Sequence, residues 1–272
     1  MPTIQFVSDL HRDFYPLGKN LAGLYKSYLN PKADFLAIAG DTSNCFDTCV
    51  KLLTELGKKY KAVYWVPGNH DLVIPRKNYE FIKNDSITNS MNYIFAIQEE
   101  LPDNVHLLNG DVIQITEKTS IGGTIGYCDF EYAEKILKAN QSDVWLHWQR
   151  WYDAVHIRLS RSDGEALWKM QLQKMQSIIE QKPTIMMTHF MPHYSLVHKK
   201  YASNILSSFF TFDGSNLLSD MHKNSGKYWV CGHTHDAFQK NINGIDIVCN
   251  PFGYPDERLI FGKPSDWTYS IE

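Results

Sequence analysis

The chain has 272 residues, of which 43% are hydrophobic and 21% charged. That balance is too apolar for a disordered chain and too polar for a membrane protein, and at about 150 residues per domain it allows one large domain or two small ones. Lys and Arg total 27 against 30 Asp and Glu, a formal charge of -3, so the chain has no overall basic field to draw in nucleic acid, which argues against a histone-like or arm-type DNA binder.

The N-terminal MPTIQFVSDLH has no basic flank leading into an apolar run, so it does not read as a signal peptide. No apolar stretch approaches the roughly 20 residues that cross a bilayer. Cys45, Cys49, Cys128, Cys231 and Cys249 are scattered without a C-x-x-C pair, which fits a reducing interior better than a disulfide framework or a thiolate zinc site. A cytoplasmic protein with no membrane partner is expected, and no feature specifies a subunit interface.

In chain order, apolar β-rich runs at Thr3 to Ser8 and Phe35 to Ala39 read as buried strands. Phe46, Cys49, Val50, Leu53, Leu56 and Tyr60 then recur at three- and four-residue steps, one face of a helix. A third strand, Ala62 to Val66, completes a β-α-β unit. From 129 to 161 no strand pattern is present, and aromatic and basic residues alternate through Trp145, Trp148, Trp151, Tyr152, His156 and Arg158. This stretch reads as a helical insertion. Leu167, Leu172, Met175 and Ile179 stripe another helix, followed by strands at Thr184 to Thr188, Tyr228 to Cys231 and Ile245 to Asn250. The pattern predicts one layered α/β domain spanning residues 1–272.

The polar residues that stand out follow the predicted strands: Ser8-Asp9-Leu10-His11, Gly40-Asp41-Thr42, Gly68-Asn69-His70-Asp71, Thr188-His189 and Gly232-His233-Thr234-His235. Ligand sites of open α/β sheets gather at the carboxyl ends of strands, where such loops can converge. Carboxylate, amide and imidazole donors without thiolate suit manganese, iron, zinc or nickel rather than calcium. A carboxylate can bridge two cations, and Asp41 stands where it could hold a pair about 3.5 to 4 Å apart.

In this order, D-x-H, G-D, G-N-H-D, a late His and G-H-x-H resemble the calcineurin-like metallophosphoesterase superfamily. Gly123-Thr124 through Asp129-Phe130, Asp153 with Ile157-Arg158, and Cys249-Asn250-Pro251 with Gly253-Tyr254 resemble a bacterial branch of it, with departures at Gly123 and at Ile125-Gly126-Tyr127. The resemblance implies an αββα fold, a β-sandwich flanked by helices, with the 129–161 insertion near the active site. It implies Asp9, His11, Asp41 and His235 on one metal ion, and Asp41, Asn69, His189 and His233 on a second. His70 is implied as the unligated histidine that stabilises phosphoryl oxygens or protonates the leaving oxygen. Asp71 either orients His70 or caps a helix. The implied reaction is hydrolysis of a phosphate ester, a phosphodiester or small nucleotide being favoured, by attack of metal-bound water or hydroxide.

His156 and Arg158 are expected to bind the substrate phosphate or its ester group, and His193, four residues after His189, to reach the pocket. His106, His147, His198 and His222 read as solvated or packed. The aromatic run from Trp145 to Tyr152 is expected to anchor a helix rather than stack a nucleobase. Two other classes share these motifs: a DNA or RNA nuclease, which needs the basic groove that composition does not supply, and a noncatalytic interaction scaffold, whose signature would be lost ligands.

Overall fold

The structure, a computed structural model, describes residues 1–16, 25, 28–257 and 267–272. The first half of the chain runs through β1 (Thr3–Val7), β2 (Phe35–Ala39), α1 (Phe46–Gly57), β3 (Ala62–Val66), α2 (Ser86–Glu99), β4 (Val105–Leu107), β5 (Val112–Gln114) and β6 (Ser120–Gly123). Residues 129–161 hold α3 (Tyr132–Leu137), α4 (Gln141–Trp148) and a π-helical turn, Asp153–Ile157. Then come α5 (Arg161–Glu180), β7 (Ile185–Met187), α6 (Ser215–Lys223), β8 (Tyr228–Cys231), β9 (Phe238–Ile242), β10 (Ile245–Cys249) and β11 (Thr268–Ser270).

One sheet has the order β11-β1-β2-β3-β4, with β1 to β4 parallel and β11 antiparallel at the edge. The other has the order β5-β6-β7-β8-β10-β9, a parallel centre with antiparallel edges. Side chains alternate across each strand. Ile4, Phe6, Ala37, Ala39, Tyr64 and Val66 meet Ile121, Ile185, Met187, Val230 and Val248 in the cluster between the sheets. The interleaved Leu36, Ile38, Val63 and Trp65 join Leu52, Leu53 and Leu56 of α1 in a second cluster, which also takes Trp229 and Ile247 with Met175 and Ile178 of α5 and Met221 of α6. Burial on both faces is why these strands read as unbroken apolar runs. The expected αββα sandwich is what forms.

Three strands stop short of their predicted ends: Ser8, Thr188 and Asn250 lie just beyond β1, β7 and β10. There the chain leaves the ladder and turns. In the insertion, Trp145 and Trp148 pack on Phe130 at ring-centroid distances of 4.6 and 5.0 Å. Among the described residues no helix is long and apolar enough to cross a membrane.

Phe6 is fully buried between the sheets, stacked on Tyr269 at 4.8 Å. Phe6→Ala should cost about 3–5 kcal/mol of stability, read from denaturant unfolding; a loss under about 1 kcal/mol would contradict this packing.

Candidate metal centre

Where the strands end, the backbone turns sharply. Asp9, His11, Asp41, His233 and His235 have φ of 52, 41, 55, 67 and 52°, the left-handed region that costs a residue bearing a side chain roughly 1–3 kcal/mol. The loops over-determine these turns. Asp9 N donates to Gly40 O at 3.0 Å, and His11 N and Arg12 N donate to Asp41 O and Thr42 O at 2.9 Å. Gly68 passes so near Asp41 that a Cβ there would lie 2.1 Å from Oδ1, and one at Gly232 would lie 2.7 Å from Asp9 Oδ2.

The turns aim two groups of side chains inward: Asp9, His11, Asp41 and His235, and Asp41, His189 and His233, with the donor atoms of each group within 4.8 Å of one another. Asp41 belongs to both. His11 Nε2 faces His235 Nε2 at 2.9 Å, and His189 Nε2 faces His233 Nδ1 at 3.2 Å. Asn69 joins the second group, its Oδ1 lying 3.1 Å from His189 Nε2.

Outer partners fix which ring nitrogens point inward. His189 Nδ1 donates to Ala39 O at 2.8 Å, His233 Nε2 to Phe209 O at 3.1 Å, and His235 Nδ1 to Glu257 Oε2 at 2.6 Å. His11 is held differently, its ring stacked on Tyr254 with centroids 4.2 Å apart. Asn69 Nδ2 donates to Asp153 Oδ1 at 2.7 Å, which turns the amide oxygen toward His189, and Tyr127 holds the other oxygen of Asp153. Asp9 Oδ2 is buried without a hydrogen-bond partner. Inward lone pairs on nitrogen and oxygen, with one carboxylate oxygen orphaned, fit a cation.

Burial disfavours every charge here, and neighbours decide the outcome. At His189 burial is outweighed by Asp41, whose Oδ1 lies 3.3 Å from Nε2, and the imidazole rises to about 9. At His235 burial is outweighed by Asp9, with Glu257 adding to it, and the ring rises to about 10. Asp9, buried but facing His235, falls to about 2. Burial prevails at His11 and His233, which fall to about 3.

His70 stands beside the two groups. Its Nδ1 donates to Asn44 Oδ1 at 2.8 Å, its Nε2 meets Tyr254 Oη at 2.9 Å, and Tyr152 stacks on the ring at 4.2 Å. The expected contact from Asp71 is not among these. Asp71 accepts from Thr42 N and Ser43 N at 3.0 Å, from Gly68 N at 2.8 Å and from the Thr42 hydroxyl. Both its oxygens are thus occupied in tying the Asp41 loop to the Asn69 loop, and Asp71 neither orients His70 nor caps a helix.

A cavity of about 380 Å³ opens over Asp41, Asn69, His70, His233 and His235. His156, Arg158 and His193 are not among its lining residues. His156 is exposed and tilts against Tyr152 with ring centroids 4.4 Å apart. Arg158 ends the π turn at φ 66° with its side chain exposed. His193 Nδ1 accepts from Ser195 N at 3.1 Å and so caps the turn Tyr194–Leu196. His198, read as a bystander, does line the cavity, as do Trp151 and Tyr152. Sequence reasoning also missed Asn44, Asp153, Glu257 and Tyr254; Asp153 and Tyr254 lay in branch-like segments without a role, while Asn44 carried no signal.

A sandwich that collects carboxylates and imidazoles at the carboxyl ends of its strands is the build of a metal-dependent hydrolase. The chain belongs to the calcineurin-like phosphoesterase family, whose family model matches residues 2–237. It is therefore a metal-dependent phosphoesterase. It is similar to protein L509 of Acanthamoeba polyphaga mimivirus, 26% identical over 282 residues that cover 96% of this chain and 94% of that one. Among solved structures it resembles the phosphopantetheinyl hydrolase PptH from Mycobacterium tuberculosis, with a TM-score of 0.75 at 19% identity, covering 99% of this chain and 95% of that one.

With His189 raised to about 9 and His235 to about 10, both rings carry protons at neutral pH in metal-free protein. A cation needs their neutral forms, so loading releases about two protons there, and affinity climbs as pH rises toward those values. Titration calorimetry in buffers of different ionisation enthalpy measures the release; none at all would contradict these inward-facing imidazoles. Asp153→Ala, which frees the Asn69 amide to rotate, should weaken metal affinity about 10–100-fold, measured by competition with a chelator.

Proposed function

We propose that the protein is a dinuclear phosphoesterase acting on a small phosphorylated substrate. The observation that carries this reading is Asp41, buried and shared between two groups of inward-facing donors. Asp9, His11, Asp41 and His235 would hold one cation, and Asp41, Asn69, His189 and His233 the other, drawn from manganese, iron, zinc or nickel. Bound there, two cations supply Lewis acidity toward phosphoryl oxygens and lower the pKa of water.

The chain's own part in the chemistry centres on His70. Its Nδ1–H is fixed by Asn44, so Nε2 is the atom that takes up a proton and, once protonated, would face a phosphoryl oxygen or give that proton to the leaving oxygen. Tyr254 Oη and the Tyr152 ring hold that nitrogen at the cavity. The whole 1–272 chain acts as one unit on this reading, the insertion supplying Trp151 and Tyr152 to the cavity wall.

A phosphodiester or small nucleotide is the favoured substrate class, supported by aromatic rings lining a cavity of about 380 Å³. The phosphopantetheinyl group named for the Mycobacterium tuberculosis neighbour is one further ester of this size for a substrate screen. The five free cysteines support a reducing compartment such as the cytoplasm.

The test is metal-reconstituted protein assayed on an aryl phosphomonoester and an aryl phosphodiester. Asp41→Asn should abolish turnover on both. His70→Ala should keep its metal content by elemental analysis while kcat falls about 10²–10⁴-fold. Wild-type protein that is fully metal-loaded and cleaves neither ester overturns the reading.

A further inference from the structure

The floor of the cavity is the donor cluster, and its walls carry a continuous apolar stretch beside the polar side chains of His198, Tyr201, Asn204, Ser207 and Thr234. The Phe210 ring lies 4.6 Å from that of His233, and Trp151 stands 5.5 Å beyond Phe210. Tyr152 covers His70, and Met191, Val197 and Leu206 extend the lining. Apolar surface thus begins at the very side chains that would meet a phosphate. Among the described residues lining the cavity none is Lys or Arg. The Glu257 carboxylate is engaged by His235 and by Tyr254 N at 2.8 Å.

We infer that the site takes phosphate esters whose alcohol portion is uncharged and largely apolar, aromatic or branched aliphatic, seated against Phe210, Trp151, Leu206 and Val197. This rests on the phosphoesterase reading and narrows it. Apolar surface moved from water onto such a wall gains about 25 cal/mol per Å². An ionised group placed against those four side chains loses hydration, and they offer it no charged or hydrogen-bonding partner beyond the Trp151 indole. The cavity of about 380 Å³ is large enough for a two-ring group beside a phosphate.

Binding separates this inference from turnover. Calorimetry on manganese-loaded protein compares naphthylmethylphosphonate with dihydroxypropylphosphonate, which present the same phosphonate to the metal-facing floor. The naphthyl ligand should bind at least about tenfold tighter. In Leu206→Asp and Val197→Asp proteins, checked for folding by thermal melting, that ratio should fall toward one. Equal or undetectable affinities in the wild-type protein overturn the inference. Phosphate release from naphthyl phosphate and glycerol phosphate is followed in parallel. Turnover of both at the same kcat/KM overturns the inference and leaves the phosphoesterase reading standing. Tight naphthyl binding without turnover of either, or of the aryl phosphodiester, sustains the pocket and overturns the catalytic reading.

Discussion

Two carboxylates removed from water and set beside one another govern this molecule. Asp9 and Asp41 are almost wholly buried, and an ionised carboxylate placed so costs several kcal/mol unless positive charge is brought to it. The surrounding imidazoles answer part of that demand: His189 and His235 hold protons against their own burial because the carboxylates are there. A cation answers it more completely, since each inward nitrogen and oxygen can then present a lone pair. The sandwich exists around this centre in a literal sense, for its parallel strands end at one edge and deliver their loops to it.

Such a centre needs a scaffold that will not relax. Five of its side chains sit on left-handed backbone that glycine would adopt more readily, yet glycine has no donor to offer. The conflict is resolved by fixing the loops to one another. Asp71 ties the Asp41 loop to the Gly68 turn, and Asp9 Oδ1 accepts from His233 N at 3.0 Å, joining the first sheet's loop to the second's. Strain of this kind persists only where the surroundings over-determine it.

Most central strands were legible because burial on both faces leaves an unbroken apolar run, but β6, buried throughout, was not, since Ser120-Ile121-Gly122-Gly123 holds a single large apolar residue. β4, β5 and β11 were not, being three-residue edge strands that are only partly buried, and β9 was not because its middle residues, Gln239, Lys240 and Asn241, are exposed at an edge. The donor loops were legible because each is a contiguous motif at a strand end. The residues that orient them were not: Asn44, Asp153 and Glu257 act singly, and their roles exist only once distant segments meet. Arg158 shows the converse case. It lies five residues after Asp153 in a recognisable segment, but the π-helical turn between them widens the helix and shifts its register. Asp153 therefore points into the protein while Arg158 is exposed. His193 stands apart for a simpler reason, since proximity to His189 in sequence did not prevent its ring from serving the next turn.

The cluster is assembled from both ends of its sequence span, Asp9 at the start and His235 far downstream. Asp9 and Asp41 meet their full set of imidazoles only when the segment carrying His235 is joined to the first sheet's loops. No partial chain holds the full set of donors. The ring orientations that face a common centre are therefore a property of the finished architecture, in which distant segments hold one another in place.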